Sequence, residues 1–194
     1  MSSDAAKIIS AGGVIAFRTD TFYGLGVDPL NAAAVAKIRE LKGREENKPI
    51  LLLLADLSVV DRFIADRSAD FDRIAKRFWP GPLTIVGCAS AHLPPGITAG
   101  TGTVGVRVPD DASVRDLVRE CGGALTATSA NPAGLPPART ATEVRAYFGD
   151  EIDLVIDGGE VTATDPSTVV DATTTPPRII REGAIPAAEL QTTS

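Results

Sequence analysis

The stretch NAAAVAKIRELKGREENKPILLLLA, residues 31–55, takes the chain from a helix into a buried strand, and its reading settles the class of the fold. Asn31 is a fair N-cap, Val35, Ile38 and Leu41 share one helical face, and Gly43 stands at the helix end. A few residues later the pattern changes. Ile50 to Ala55 is the longest apolar run, strand-like in length and far too short to span a bilayer. Between the two elements lie Lys42, Arg44 and Lys48. Cations at such a junction can converge on a polyanion, and Lys42 and Arg44 can equally answer the negative end of the helix dipole.

The same alternation continues in both directions. Val14–Phe17, Leu83–Val86, Val104–Val108, Ala124–Ala127, Leu154–Ile156, Thr168–Val170 and Arg178–Ile180 read as further strands. Phe71, Ile74, Ala75 and Phe78 mark another helix, and two more fall near Val114–Arg119 and Ala141–Phe148. Helices mixed with short strands give a sheet covered by helices, and the uneven spacing argues against a simple strand–helix–strand repeat. The expected class is α/β (α+β), with a mixed parallel and antiparallel sheet. Breakers at Trp79-Pro80-Gly81-Pro82, Pro94-Pro95-Gly96 and Pro136-Pro137 are short enough to be loops within one domain.

A chain of 194 residues, 44% of them apolar, can bury roughly 70% of the surface its unfolded form exposes. One domain is expected over residues 1–186, with a loosely held tail over 187–194. The formal net charge of −6 excludes a broad basic footprint on a nucleic-acid duplex, so any anion site must be local. Cys88 and Cys121 lack the spacing of a disulfide framework or thiolate metal site and read as small core residues. The N-terminus carries Asp4 and Lys7 and shows no signal-peptide pattern, so a cytoplasmic setting is expected.

Several segments offer polar chemistry. At Thr126-Ala127-Thr128-Ser129-Ala130-Asn131 an apolar strand runs into a Ser-x-Asn turn, whose groups suit phosphate or ribose contacts, or simply stabilise an ordinary turn. In Thr103-Val104-Gly105-Val106-Arg107-Val108 the valines take one face, which leaves Arg107 above Gly105 on the other, able to hold a carboxylate in a fork. Similar signals come from Thr19-Asp20-Thr21 before Tyr23-Gly24-Leu25-Gly26, from Ser167-Thr168 and from Arg181. The single histidine, His92, reads as a loop residue with no recognisable partner, against a Ser/His/Asp triad or a histidine-rich metal site. Neither a complete dinucleotide fingerprint nor a GxxxxGK[ST] loop is present.

Taken in order, Thr19 to Gly26, Lys42-Gly43-Arg44, Lys48-Pro49, Trp79 to Thr84, Thr103 to Pro109, Thr128 to Asn131, Ser167 to Asp171 and Arg181-Glu182-Gly183 resemble the signature of the YrdC/Sua5 family over nearly the whole chain. The resemblance is to its short single-domain form, since too little sequence follows Gly183 for the extra domain of the longer form. It implies a twisted mixed sheet with a concave cationic cleft. The reaction it implies takes L-threonine, bicarbonate and ATP, with Mg2+, to threonylcarbamoyl-AMP and pyrophosphate, for the t6A modification of tRNA. The implied catalytic tetrad falls on Lys42, Arg44, Ser129 and Asn131. Further ATP contacts would be Lys48, Thr103 and Arg181, while Thr21, Arg107, Ala127 and Ser167 would hold threonine. No protein metal ligand is implied, the product would pass to a threonylcarbamoyl transferase complex, and tRNA contact would be indirect or weak.

Two positions depart from the family pattern. Arg18 replaces the usual proline, adding a cation beside the implied threonine pocket, and Ala133 replaces a frequent serine. The Gly and Pro content of residues 132–140 suggests a lid over ATP. The alternatives are a non-catalytic double-stranded RNA or tRNA-binding module, against which the net charge and the lack of interleaved aromatics weigh, and a carbamoyl-transfer domain like that of hydrogenase maturation factors.

Overall fold

Asn31 does cap a helix: its Oδ1 accepts from the Ala34 N–H at 3.1 Å, satisfying one of the orphan donors of the first turn. The computed structural model describes residues 3–43, 48–163 and 165–191. In chain order the elements are α1 (Asp4–Ser10), β1 (Ile15–Arg18), β2 (Tyr23–Gly26), α2 (Ala32–Leu41), β3 (Leu52–Leu54), α3 (Ala69–Phe78), β4 (Leu83–Cys88), α4 (Pro95–Thr98), β5 (Thr103–Arg107), α5 (Ala112–Glu120), β6 (Ala124–Thr126), β7 (Thr128–Ser129), α6 (Ala141–Phe148), β8 (Leu154–Ile156), β9 (Thr168–Asp171), β10 (Arg178–Arg181) and α7 (Ala187–Gln191). Helix α2 buries Val35 and Ile38, each contributing roughly 1.5–3 kcal/mol, and ends at Gly43, whose φ of +53° is strained for any residue with a Cβ.

The strands form two mixed sheets rather than the single one expected: a four-stranded sheet in the order β7-β2-β1-β8 and a six-stranded one in the order β10-β9-β4-β5-β3-β6. Both contain parallel and antiparallel pairs. The chain passes from one sheet to the other at Ala127, between β6 and β7. The fully buried Thr126 sews the seam, its Oγ1 accepting from Val27 N–H at 3.0 Å and its own N–H donating to Val27 O at 3.0 Å. Strands β2 and β7 escaped the sequence reading because YGLG and TS lack an apolar run; pairing with β1 and β2 makes them strands.

The six-stranded sheet is covered unevenly. Leu52, Leu54, Leu83, Ile85, Val104, Val106 and Val170 face the larger core. On the opposite face, Leu53 and Leu125 are buried under α1 and α5, against Ala5, Ile9, Val114 and Val118 and beside Ile15 and Phe17 of β1. That cover stops short of β4, β5 and β9, where Thr84, Val86, Gly105 and Val169 line an open cleft. The two periodicities meet here, since a strand presents alternate residues to opposite faces and two helices are only wide enough for part of a six-stranded sheet.

One reading is corrected: Cys88 is exposed at the end of β4, and only Cys121 is a core thiol. Within the tail expected over 187–194, residues 187–191 form the short helix α7, with Leu190 packed on the core, and 192–194 lie outside the described residues. Arg18, next to the cleft-lining Thr19, turns its stem against Gly158 and its guanidinium to within 3.5 Å of Asp111, outside the lining itself. His92 is exposed in a turn, as the sequence suggested.

Candidate functional site

The cleft has a volume of about 580 Å3, and its described lining includes two arginines, Arg107 and Arg181, and no carboxylate. Arg107 arises from β5 by simple alternation. Val104 and Val106 go to the core, so Gly105 and Arg107 face the cleft, and the absent side chain of Gly105 leaves the floor open. The Arg107 side chain is only 2% exposed and its Nη2 donates to Asp20 Oδ1 at 2.8 Å. Among the described residues its Nε is buried with no hydrogen-bond partner, an incompletely satisfied cation of the kind that welcomes an anionic acceptor. Burial pushes the Arg107 pKa below its ordinary value, the nearby Arg181 adds to the fall, and the Asp20 carboxylate opposes both.

Asp20 is placed by a tight turn after β1. The Thr19 hydroxyl donates to Phe22 O at 2.6 Å and accepts from the N–H groups of Thr21 and Phe22, each at 3.2 Å, so one side chain supplies the turn's backbone partners. Thr19 and Thr21 thereby face the cleft. Across it, Ser167 stands beside Thr84 (Oγ to Oγ1 3.0 Å), and Arg181 Nη2 donates to Ser167 O at 2.8 Å. Burial also lowers the Arg181 pKa. Ser167 and Arg181 are held together by Thr168, whose Oγ1 accepts from the N–H groups of Gly183 and Ile185.

A second polar centre adjoins the cleft at Ser129. Lys42, just past α2 and 7% exposed, donates from Nζ to Ser129 O at 2.5 Å, Asn131 O at 2.8 Å and Asn131 Oδ1 at 3.0 Å, with Ser129 Oγ at 3.4 Å. The Ser129 hydroxyl donates to Asn131 Oδ1 at 2.6 Å. Three members of the implied tetrad therefore meet, from a helix end and a strand end far apart in sequence, while Arg44 lies outside the described residues. The loop that follows is tethered: Ala133 N–H donates to Lys42 O at 3.0 Å, Asn131 Nδ2 to Leu135 O at 2.5 Å and Ala138 N–H to Ala130 O at 3.0 Å. Of the 132–140 segment, Pro137 reaches the cleft lining.

All four residues implied for threonine, Thr21, Arg107, Ala127 and Ser167, line the one cleft, as do Ser129 and Arg181. Lys48 and Thr103 do not. Lys48 is an exposed residue next to the cleft-lining Pro49, and Thr103 is paired with the Thr101 hydroxyl at 3.0 Å. Among the described residues no group of three His, Cys, Asp or Glu side chains is placed to hold a metal ion, and no helix is long and apolar enough to cross a membrane.

A family model described as "Telomere recombination", Sua5/YciO/YrdC, matches residues 7–183. The chain belongs to the Sua5/YciO/YrdC family. It is 37% identical over 187 residues to the threonylcarbamoyl-AMP synthase of Pyrococcus abyssi, covering 96% of this chain and 55% of that protein. To the threonylcarbamoyl-AMP synthase of Halorhodospira halophila it is 41% identical over 154 residues, 79% of this chain and 81% of the other. A crystal structure of P. abyssi Sua5 complexed with L-threonine matches with a TM-score of 0.93 at 37% identity, over 97% of this chain and 56% of that one. The chain spans about half the length of the Pyrococcus relative and about four-fifths of the Halorhodospira one.

Asp20 and Thr84 also belong to the Sua5/YciO/YrdC motifs, and what each touches emerges only in the folded chain. Asp20 is the buried arginine's partner, 87 positions away, and no local pattern marks such a pair. The strand alternation that placed Arg107 could have marked Thr84, a polar residue on the cleft face of β4.

Proposed function

We propose that the chain converts L-threonine, bicarbonate and ATP to L-threonylcarbamoyl-AMP and pyrophosphate in this cleft. The observation that carries the reading is the convergence of Thr21, Arg107, Ala127 and Ser167 on one cleft that also contains Ser129, the partner of Lys42. The threonine amine and bicarbonate give a carbamate and water. A carbamate oxygen then bonds to the α-phosphorus of ATP as the bond to the pyrophosphate oxygen breaks, so no protein nucleophile is needed. Arg107 would orient the threonine carboxylate in a fork, with the threonine hydroxyl toward Thr21 or Ser167. Lys42 and Arg44 would offset charge on the transferring phosphoryl group, Ser129 and Asn131 would hold Lys42 in place, and Lys48, Thr103 and Arg181 would contact ATP.

Lys42 is a cation held by acceptor oxygens of Ser129 and Asn131, and no carboxylate stands in the described cleft lining, a set that suits the triphosphate rather than a metal ion. Mg2+ would accompany ATP on the phosphate oxygens and neutralise part of their charge. The product, a mixed anhydride, would be handed in the cytoplasm to the threonylcarbamoyl transfer that completes t6A, with tRNA contact indirect. Burial of Arg107 inside the cleft disfavours the RNA-binding alternative, in which cations must stand on an open face to meet a phosphate backbone.

The test is pyrophosphate release from ATP with bicarbonate and Mg2+, comparing L-threonine, L-serine and no amino acid. Threonine-dependent release is expected, weaker with serine, which lacks one methyl group. Lys42→Ala is expected to lower it by about 10²–10³-fold, the usual loss of one charge-stabilising donor. Release independent of amino acid, or unchanged in the variant, would reject the reading.

A further inference from the structure

The Arg107 guanidinium is not a lone anion hook. Its Nη2 is already engaged by Asp20 Oδ1 at 2.8 Å, in a pair whose side chains are 2% and 18% exposed. Among the described residues the other carboxylate oxygen of Asp20, Oδ2, takes part in no hydrogen bond, and the Asp20 side chain keeps 18% of its surface exposed. The turn that presents Asp20 is braced by Thr19, and its two neighbours, Thr19 and Thr21, line the cleft. The site therefore offers a fixed cation with unsatisfied donor capacity and, paired with it, a carboxylate that lies outside the lining itself but between the lining residues Thr19 and Thr21, with one oxygen not hydrogen-bonded. An α-amino acid carries the complementary pair of charges one carbon apart.

On the reading that this cleft takes an α-amino acid, we propose that the Asp20–Arg107 pair recognises both ends of the zwitterion: Arg107 takes the α-carboxylate, and Asp20 accepts from the α-amino group. Asp20 then determines specificity for amino acids over acids that lack the amine. The role is compatible with the chemistry, because the nitrogen keeps an N–H after carboxylation and the same acceptor serves both species. The bound ammonium first loses one proton to bicarbonate, which becomes CO2 and water; the N–H still directed at Asp20 then leaves the freed lone pair pointing away from it, toward the carbon that is added.

Binding of L-threonine and of (R)-3-hydroxybutyrate, which is threonine without its amine, is measured by isothermal titration on the full chain, wild type and Asp20→Asn. Wild type is expected to favour threonine by about tenfold or more, the scale of one charge-assisted hydrogen bond. In Asp20→Asn that preference should fall to less than about threefold, with threonine alone weakened, and Asp20→Glu should recover part of it. An equal loss of both ligands would mean that Asp20 only braces Arg107, and would overturn the proposal. So would equal affinity of wild type for the two ligands, a result that needs no variant. Failure of wild type to bind either ligand would instead reject the amino-acid reading of the cleft and this proposal with it.

Discussion

At the scale of single residues, the two cysteines show how environment decides chemistry. Cys121 closes α5 against the smaller core, and burial pushes its thiol up to about 11, with Glu120 adding to the rise. The neutral thiol is the form the fold favours, so its contribution to stability is present below the ordinary thiol value near 9 and is lost as pH climbs through about 11. A disulfide reagent at pH 8 is expected to modify one thiol per native chain, Cys88, and both after unfolding. Two fast-reacting thiols in the native protein would contradict the burial of Cys121. Arg107 and Lys42 are cations out of water, tolerable because oxygen acceptors touch each of them.

At the scale of elements, the return from β10 is the most constrained connection. A Cβ on Gly183 would stand 2.2 Å from Pro166 O and 2.9 Å from Ser167 O, both backbone atoms that cannot swing aside. Gly183→Ala is therefore expected to lower stability by about 1–3 kcal/mol in denaturant unfolding, and to weaken ATP or threonine use by shifting Ser167 and Arg181 together. An unchanged unfolding midpoint would show that the turn can relax. The α2 terminus does comparable work. Gly43 ends the helix one residue after Lys42, whose Nζ meets Ser129 and Asn131, and β6 and β7, divided at Ala127, bring those acceptors to it.

At the scale of the molecule, the cleft exists because α1 and α5 cover one end of the six-stranded sheet and leave β4, β5 and β9 bare. A ligand there at about a hundred times its Kd should add about 2.7 kcal/mol, or roughly 5–10 °C in Tm for a chain of this size. Threonine and a non-reactive ATP analogue are each expected to produce such a shift by thermal unfolding. Gly105→Val should abolish the threonine shift without preventing folding, since its Cβ would stand 3.0 Å from the Thr84 methyl and its branches would occupy the cleft floor. A retained shift would move the ligand elsewhere. Helices α2, α3, α5 and α6 and eight of the ten strands were legible in sequence, because caps, periodicity and apolar runs act within a few residues. Alternation alone set Arg107 opposite the valines. The division into two sheets, the seam at Thr126, the Asp20–Arg107 pair and the meeting of Lys42 with Ser129 and Asn131 were decided by tertiary structure. Each joins groups far apart along the chain, and their contact depends on which part of a sheet the helices cover, a property of the packed molecule that no local pattern carries.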